Sequence, residues 1–195
     1  MIDNKALLFI NFINKYVDLN EIEEKQILEK AKIRKYLKGQ YVVQQGDICK
    51  HSGFVISGCT RTFYVDDNGE EHIVMFSIEN WWASEIGSFV SQKPSDYNVQ
   101  CIENTELIQL SFEDQELLFR DIPKLERFFR LILEQAFVAS QKRIVSSFSL
   151  SAKEQYIQFT KQYPEIEKRI PQYMVASYLG ISKEFLSKIK NELKM

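Results

Sequence analysis

Lys183, Ser187 and Lys190 lie four and three residues apart, with Ser182, Glu184 and Lys188 beside them. On a helix this spacing gathers ammonium, hydroxyl and carboxylate groups onto one side. Such a side can donate to guanine and phosphate oxygens and accept from a cytosine amino group. Those are the contacts by which a helix reads the major groove of duplex DNA. Gln172, at the start of the preceding helix, adds a phosphate donor.

The elements that must position these groups are two short helices within residues 172–193, joined by a three-residue turn. Val175 and Leu179 are four apart on the first helix, and Leu186, Ile189 and Leu193 repeat at three and four on the second, so the two predict a shared core. Ala176 is small where the helices would cross. Gly180 falls at the C′ position, where a positive φ costs glycine little, and Ser182 is placed to cap the second helix. A surface αα-hairpin with solvated lysines would share the amphipathic pattern without needing this order of small residue, glycine and cap.

Charge supports the same region. The chain of 195 residues carries a net charge of −2, but residues 1–141 hold 15 Lys+Arg against 22 Asp+Glu, whereas residues 142–195 hold 10 against 5. The C-terminal excess of +5 is the footprint that phosphate contacts require. With 45% hydrophobic residues the chain can bury a substantial core. Cys49, Cys59 and Cys101 are widely spaced, an odd number that suits a reducing compartment and small core residues. His51 and His72 lack ligand spacing, so no metal and no cofactor is expected. No apolar run approaches membrane-spanning length and the N-terminus has no signal-like segment, which predicts a cytoplasmic protein without a membrane partner.

Residues 4–16 and 20–32 read as two helices. From Ile33 to Leu110 short β-branched and aromatic runs, Tyr41–Val43, Phe54–Ile56, Thr60–Val65 and His72–Phe76, are separated by Gly39, Gly46, Gly58 and Gly69, predicting a jelly roll or barrel. Asp66-Asp67-Asn68-Gly69 is expected as a hairpin turn with positive φ at both Asn68 and Gly69. Ser111 and Ser151 open capping-box-like sequences. Between residues 123 and 148, Leu125, Phe128 or Phe129, Ile132, Ala136, Ala139 and Ser146 form one seam, either a parallel homodimer interface or a face packed on the chain's own β-domain. Glu79, Glu85 and His72 share a region but form no set of nucleophile, base and orienter, so no enzyme is expected. Trp81 and Trp82 are expected as aromatic core.

Helical lead, glycine-punctuated β-domain, long helix and terminal helix-turn-helix come in the order found in the Crp/Fnr family of bacterial transcription regulators, which the chain resembles over nearly its whole length. Lys38-Gly39, Gln45-Gly46-Asp47 and Phe54-Val55-Ile56-Ser57-Gly58 are similar to motifs of the family's sensor domain, and Lys183-Glu184-Phe185-Leu186-Ser187-Lys188 is similar to its Arg-Glu-x-x-x-Arg recognition helix. The resemblance implies an α+β fold: a double-stranded, jelly-roll-like β-roll with its helical lead over 1–120, a dimerisation helix over 121–149, and a winged-helix-like or helix-turn-helix DNA-binding domain over 150–195. It implies a homodimer on double-stranded DNA, with an unidentified small-molecule effector and RNA polymerase as further partners.

Ser84-Glu85-Ile86-Gly87-Ser88 resembles the family's phosphate-binding segment, with Glu85 matching the glutamate that holds a ribose hydroxyl. Ser84 stands where that segment has glycine, and Ser95, followed by Asp96, stands where cyclic-nucleotide-binding members have the phosphate-neutralising arginine. Losing that charge-assisted bond, worth about 1.5 to 3 kcal/mol, predicts that cyclic AMP is not the effector. The family's oxygen-sensing and haem-binding versions lack their cysteine and histidine ligands here. A regulatory module that binds a small molecule or cyclic nucleotide and acts through protein contacts is the competing reading, and it predicts weak, salt-insensitive DNA binding.

Overall fold

The computed structural model describes residues 4–193. Two helices lead, α1 (Asn4–Ile13) and α2 (Glu21–Lys30). Seven strands follow: β1 (Lys32–Tyr36), β2 (Tyr41–Val43), β3 (His51–Ser57), β4 (Thr60–Val65), β5 (Glu71–Ser77), β6 (Asn98–Cys101) and β7 (Thr105–Ser111). The short helix α3 (Ile86–Ser91) lies between β5 and β6. After β7 the chain is helical: α4 (Phe112–Asp121), α5 (Lys124–Ser149), α6 (Ala152–Gln162), α7 (Pro164–Arg169), α8 (Gln172–Leu179) and α9 (Lys183–Glu192). No strand follows β7 among the described residues, and the described C-terminal region is a helix-turn-helix within a helical bundle.

The strands form two antiparallel sheets, ordered β1-β7-β3 and β2-β6-β4-β5. Alternation sorts their side chains. Val55 and Leu107 from one sheet meet Val43 and Val99 from the other inside the roll, together with Cys49, Ala83 and Phe89. The opposite-facing Phe54, Ile108 and Leu110 pack outward against Phe9, Ile10 and Ile13 of α1 and against Leu118, Leu125 and Phe128. The outer face of the second sheet offers Cys59, Phe63, Ile73 and Phe76, and these join Tyr156, Phe159, Met174, Val175, Ala176, Leu186 and Ile189 in one buried cluster. Helices therefore cover both outer faces of the roll, and the C-terminal helices share a core with the second sheet.

The hairpin between β4 and β5 corrects one expectation. Gly69 takes a φ of 83°, but Asn68 is not left-handed. Asp66 Oδ1 accepts from the N–H groups of Asn68 and Glu70, each at 2.9 Å, and Gly69 N–H donates to the Asp66 carbonyl. The aspartate side chain thus builds the turn, and a single left-handed residue closes it. Its other oxygen lies 3.0 Å from His72 Nε2, whose ring stacks on Tyr64. Asp66, Glu70 and His72 bring ligand-type atoms within 4.8 Å of one another, yet Asp66 is already committed to the turn.

The α5 seam divides. Leu125 and Phe128 are buried on the chain's own core, whereas residues 133–142 are exposed throughout, Ala136 and Ala139 among them. The large apolar groups exposed along α5 are Leu133, Phe137, Val138, Ile144, Val145 and Phe148, of which Leu133, Phe137, Ile144 and Phe148 are spaced four, seven and four apart, so the uncovered stripe runs through bulky side chains rather than through the small ones. Trp82 packs with Phe9, Phe54 and Phe129, and Trp81 meets Tyr163.

Candidate nucleic-acid interface

α8 begins after Pro171, with Gln172 exposed in its first turn. It ends at Gly180, φ 68°, whose N–H returns to the helix; no atom lies within 4 Å of where a Cβ would stand. Backbone conformation, not crowding, is what calls for glycine there. The Ile181 N–H bonds the Ala176 carbonyl at 3.0 Å, and Ser182 Oγ accepts from Phe185 N–H at 3.2 Å to open α9. Val175, Ala176, Leu186 and Ile189 are all buried between the helices and the sheet. Leu193, expected in that core, is 42% exposed.

This packing turns Ser182, Lys183, Glu184, Ser187 and Lys188 outward, and all five are exposed. Lys190 does not join them. Its ammonium lies 3.1 Å from Glu167 Oε1, and over the Tyr156 ring. Burial there disfavours the charge, but Glu167 and Tyr156 together outweigh it and hold the Lys190 pKa above its ordinary value. Each helical residue advances about 100°, which places Lys190 closer to Leu186 than to Ser187. Asn191 occupies the outward position instead.

The sensor segment is arranged differently. Glu85 is the N-cap of α3, and its carboxylate accepts from Gly87 N–H at 2.8 Å and from Ser88 N–H at 2.7 Å. The glutamate matched to a ligand contact therefore occupies the amides that would hold a phosphate, and among the described residues no cation forms an ion pair with it. Ser88 is buried: it accepts from Cys49 N–H at 2.9 Å and donates to the Lys93 carbonyl. Ser84 is half-buried, and Ile86, Gly87 and Asp96 are exposed. Ser95 is buried, and its hydroxyl accepts from Tyr97 N–H and donates to the Tyr97 carbonyl. Ser88 and Ser95 hold loops together, so the expected pocket residues do not converge as a set of free polar groups.

Glu79, Glu85 and His72 are likewise apart in role: Glu79 pairs with Arg169, Glu85 caps α3, and His72 faces Asp66. Sequence reasoning missed the residues that tie the C-terminal helices to the roll. β5 is the open edge of its sheet. Ser177 on α8 donates to the Glu71 carbonyl at 2.9 Å and accepts from Ile73 N–H at 3.1 Å. Arg143 on α5 donates to the Val74 and Tyr178 carbonyls and lies 3.8 Å from the Tyr178 ring centre. Signals for these contacts were weak, because a serine or arginine on a helix surface has no local pattern that names a distant strand edge.

Residues 33–121 match the cyclic nucleotide-binding domain family. The transcriptional activator protein FnrA of Stutzerimonas stutzeri is 25% identical over 163 residues, covering 78% of this chain and 66% of the relative. The transcriptional activator protein anr of Pseudomonas aeruginosa is 25% identical over 167 residues, with the same coverage. The chain thus spans just under two thirds of the length of these curated relatives. Among solved structures, CLP of Xanthomonas campestris, described as a c-di-GMP-responsive global regulator, superposes with a TM-score of 0.74 at 16% identity, covering 90% of this chain and 92% of that one. A Crp/Fnr-family regulator from Eubacterium rectale gives 0.72 at 17% identity, covering 94% and 88%.

Proposed function

We propose that the chain is a transcription regulator of the Crp/Fnr type, as its cyclic nucleotide-binding domain match and its likeness to FnrA and anr support, that it binds two-fold-symmetric duplex DNA as a homodimer, and that it does not use cyclic AMP as its effector. The observation that carries the DNA reading is the outward face of α9. Lys183, Glu184, Ser187 and Lys188 are exposed together, on a helix seated by Leu186 and Ile189 and capped by Ser182. Glu184 accepts from a cytosine amino group, the lysines reach guanine or phosphate, and Gln172 holds the backbone from the first turn of α8.

The homodimer reading rests on α5, where Leu133, Phe137, Ile144 and Phe148 leave an apolar stripe without cover from the same chain. A parallel pairing along that stripe would set two α9 helices against half-sites one DNA turn apart. The reading on cyclic AMP rests on Glu85, whose negative charge sits on the α3 amides with no cation ion-paired to it among the described residues. No helix among the described residues is long and apolar enough to cross a membrane, and a regulator of this kind would act in the cytoplasm. Catalysis is not part of the proposal, since Glu79, Glu85 and His72 are each engaged elsewhere.

Selection of duplexes from a random pool by the purified protein, with and without cyclic AMP, tests this reading. Recovery of a two-fold-symmetric site, unchanged by the nucleotide, is the expected result. Salt-insensitive, sequence-indifferent binding would instead favour a module that acts through protein contacts.

A further inference from the structure

The contacts that seat α8 on β5 converge with a second set at one end of the roll. Arg169, at the end of α7, reaches two carboxylates of the sensor domain. Its Nη1 lies 2.7 Å from Glu79 Oε2 and its Nη2 3.1 Å from Glu79 Oε1. Its Nε lies 3.0 Å from Glu103 Oε1, and Nη2 is also 2.7 Å from Glu103 Oε2. Glu79 Oε1 accepts in addition from Gly58 N–H at 2.9 Å. Gly58 has a φ of 102°, and a Cβ there would come within 2.5 Å of Thr105 Oγ1, so this turn between β3 and β4 is held to one shape. A planar guanidinium that binds two carboxylates through four hydrogen bonds fixes direction as well as distance.

Glu79 is also connected to the cradle at Glu85. Between them the chain runs along β3 as a short ladder: Asn80 N–H to the Val55 carbonyl at 3.0 Å, Val55 N–H to the Trp81 carbonyl at 2.8 Å, and Ala83 N–H to the Gly53 carbonyl at 2.7 Å. Ser84 and Glu85 follow directly. A shift of the cradle must therefore move this ladder or break it, and the next group along it is the carboxylate that holds Arg169.

We propose that Glu79, Arg169 and Glu103 form an ionic clasp that locks the helix-turn-helix onto the open edge of β5 and couples its position to the Glu85 cradle. With the clasp closed, Ser177 and Arg143 satisfy the β5 edge, and α9 has one fixed orientation relative to α5. With it open, those edge groups turn to water and α8 is free to move. The link to regulation rests on the DNA reading above; the clasp itself does not.

Hydrogen exchange on the full-length protein tests the clasp without DNA. Arg169→Ala is expected to raise exchange at least tenfold in residues 71–77 and 172–179, leaving 53–57 and 105–110 unchanged, with Glu103→Gln giving a smaller rise in the same places. Combining the two should add nothing to Arg169→Ala alone. Unchanged exchange at the β5 edge, or a rise spread evenly over the roll, would overturn the proposal, and Glu103→Gln decides the matter if the arginine variant fails to fold. Glu85→Ala should raise exchange in 172–179 severalfold only while Arg169 is present; independent, additive effects would overturn the coupling. If no duplex is recovered in selection, the DNA reading falls while the exchange result still judges the clasp.

Discussion

The cradle at Glu85 and the proposed reading surface at Ser182 are both helix N-termini, and the chain equips them in opposite ways. At α3 the free amides are met by a carboxylate, with no cation paired to it among the described residues. At α9 the cap is a neutral hydroxyl, and Lys183 and Lys188 stand exposed beside it. A phosphate approaching the first meets a negative charge already in place; approaching the second it meets two lysines against the single carboxylate of Glu184. The difference teaches that helix polarity alone does not make an anion site. The side chain that satisfies the amides decides whether a second anion is welcome.

The largest effect should come from removing the platform on which the second surface stands. Leu186 is fully buried between α8, α9 and the second sheet. Leu186→Ala is expected to cost about 2 to 5 kcal/mol and to abolish duplex binding, as read by urea denaturation and by titration of the selected site. Full stability in that variant would mean that α9 is held by something other than its apolar face. Next in size is the contrast within the surface itself. Glu184→Ala should relax discrimination at one base pair by roughly 1 to 3 kcal/mol, whereas Lys188→Ala should weaken selected and random duplexes alike and lower the salt dependence. Equal losses on both kinds of DNA from both variants would contradict the assignment of reading to one residue and anchoring to the other.

Local chemistry made much of this legible from the residues. Thr60–Val65 and Tyr41–Val43 coincide with β4 and β2 because β-branched and aromatic runs are bracketed by glycine, and Ser111, Ser151 and Ser182 are caps because each precedes an amphipathic run. What periodicity could not resolve was a side chain near the border of a helix face. Lys190 was drawn inward by Glu167 and Tyr156, which lie on α7 and α6. Asn68-Gly69 has the composition of one turn, but Asp66 imposes another through its own side chain. Least legible were contacts between residues far apart in sequence. Glu79 and Arg169 are separated by 90 positions, and neither has a neighbour in the chain that announces the other.

A smaller effect sharpens the comparison at the cradle. Glu85→Ala removes a cap with two hydrogen bonds and should lower stability by about 1 kcal/mol in thermal or urea unfolding. Deleting that carboxylate should still not create tight cyclic AMP binding, because Ser95 is buried and committed to Tyr97 and brings no cation. Calorimetry giving a low-micromolar dissociation constant for the wild-type protein would break the comparison at its first term, by showing that an anion enters despite Glu85.

The smallest effect concerns cations that lie away from both helix ends. His51 at the start of β3 is half-buried, and its pKa lies below the ordinary histidine value, through burial first and then through the nearby charges of Arg34 and Lys32. Glu113 pulls the other way, and Lys50 adds to the repulsion. The unfolded chain therefore binds a proton there at a pH where the folded one does not. Stability from this group is fully present above about pH 6.5 and declines as pH falls toward the lower, folded-state value. His51→Gln should flatten that part of the stability profile on the acid side of about pH 6.5, as read from urea midpoints in the two proteins. An unchanged slope would place the titration elsewhere. A reversed one, with stability rising as pH falls, would mean that Glu113 dominates and that the positive field of the first sheet is weaker than its lysines and arginine imply.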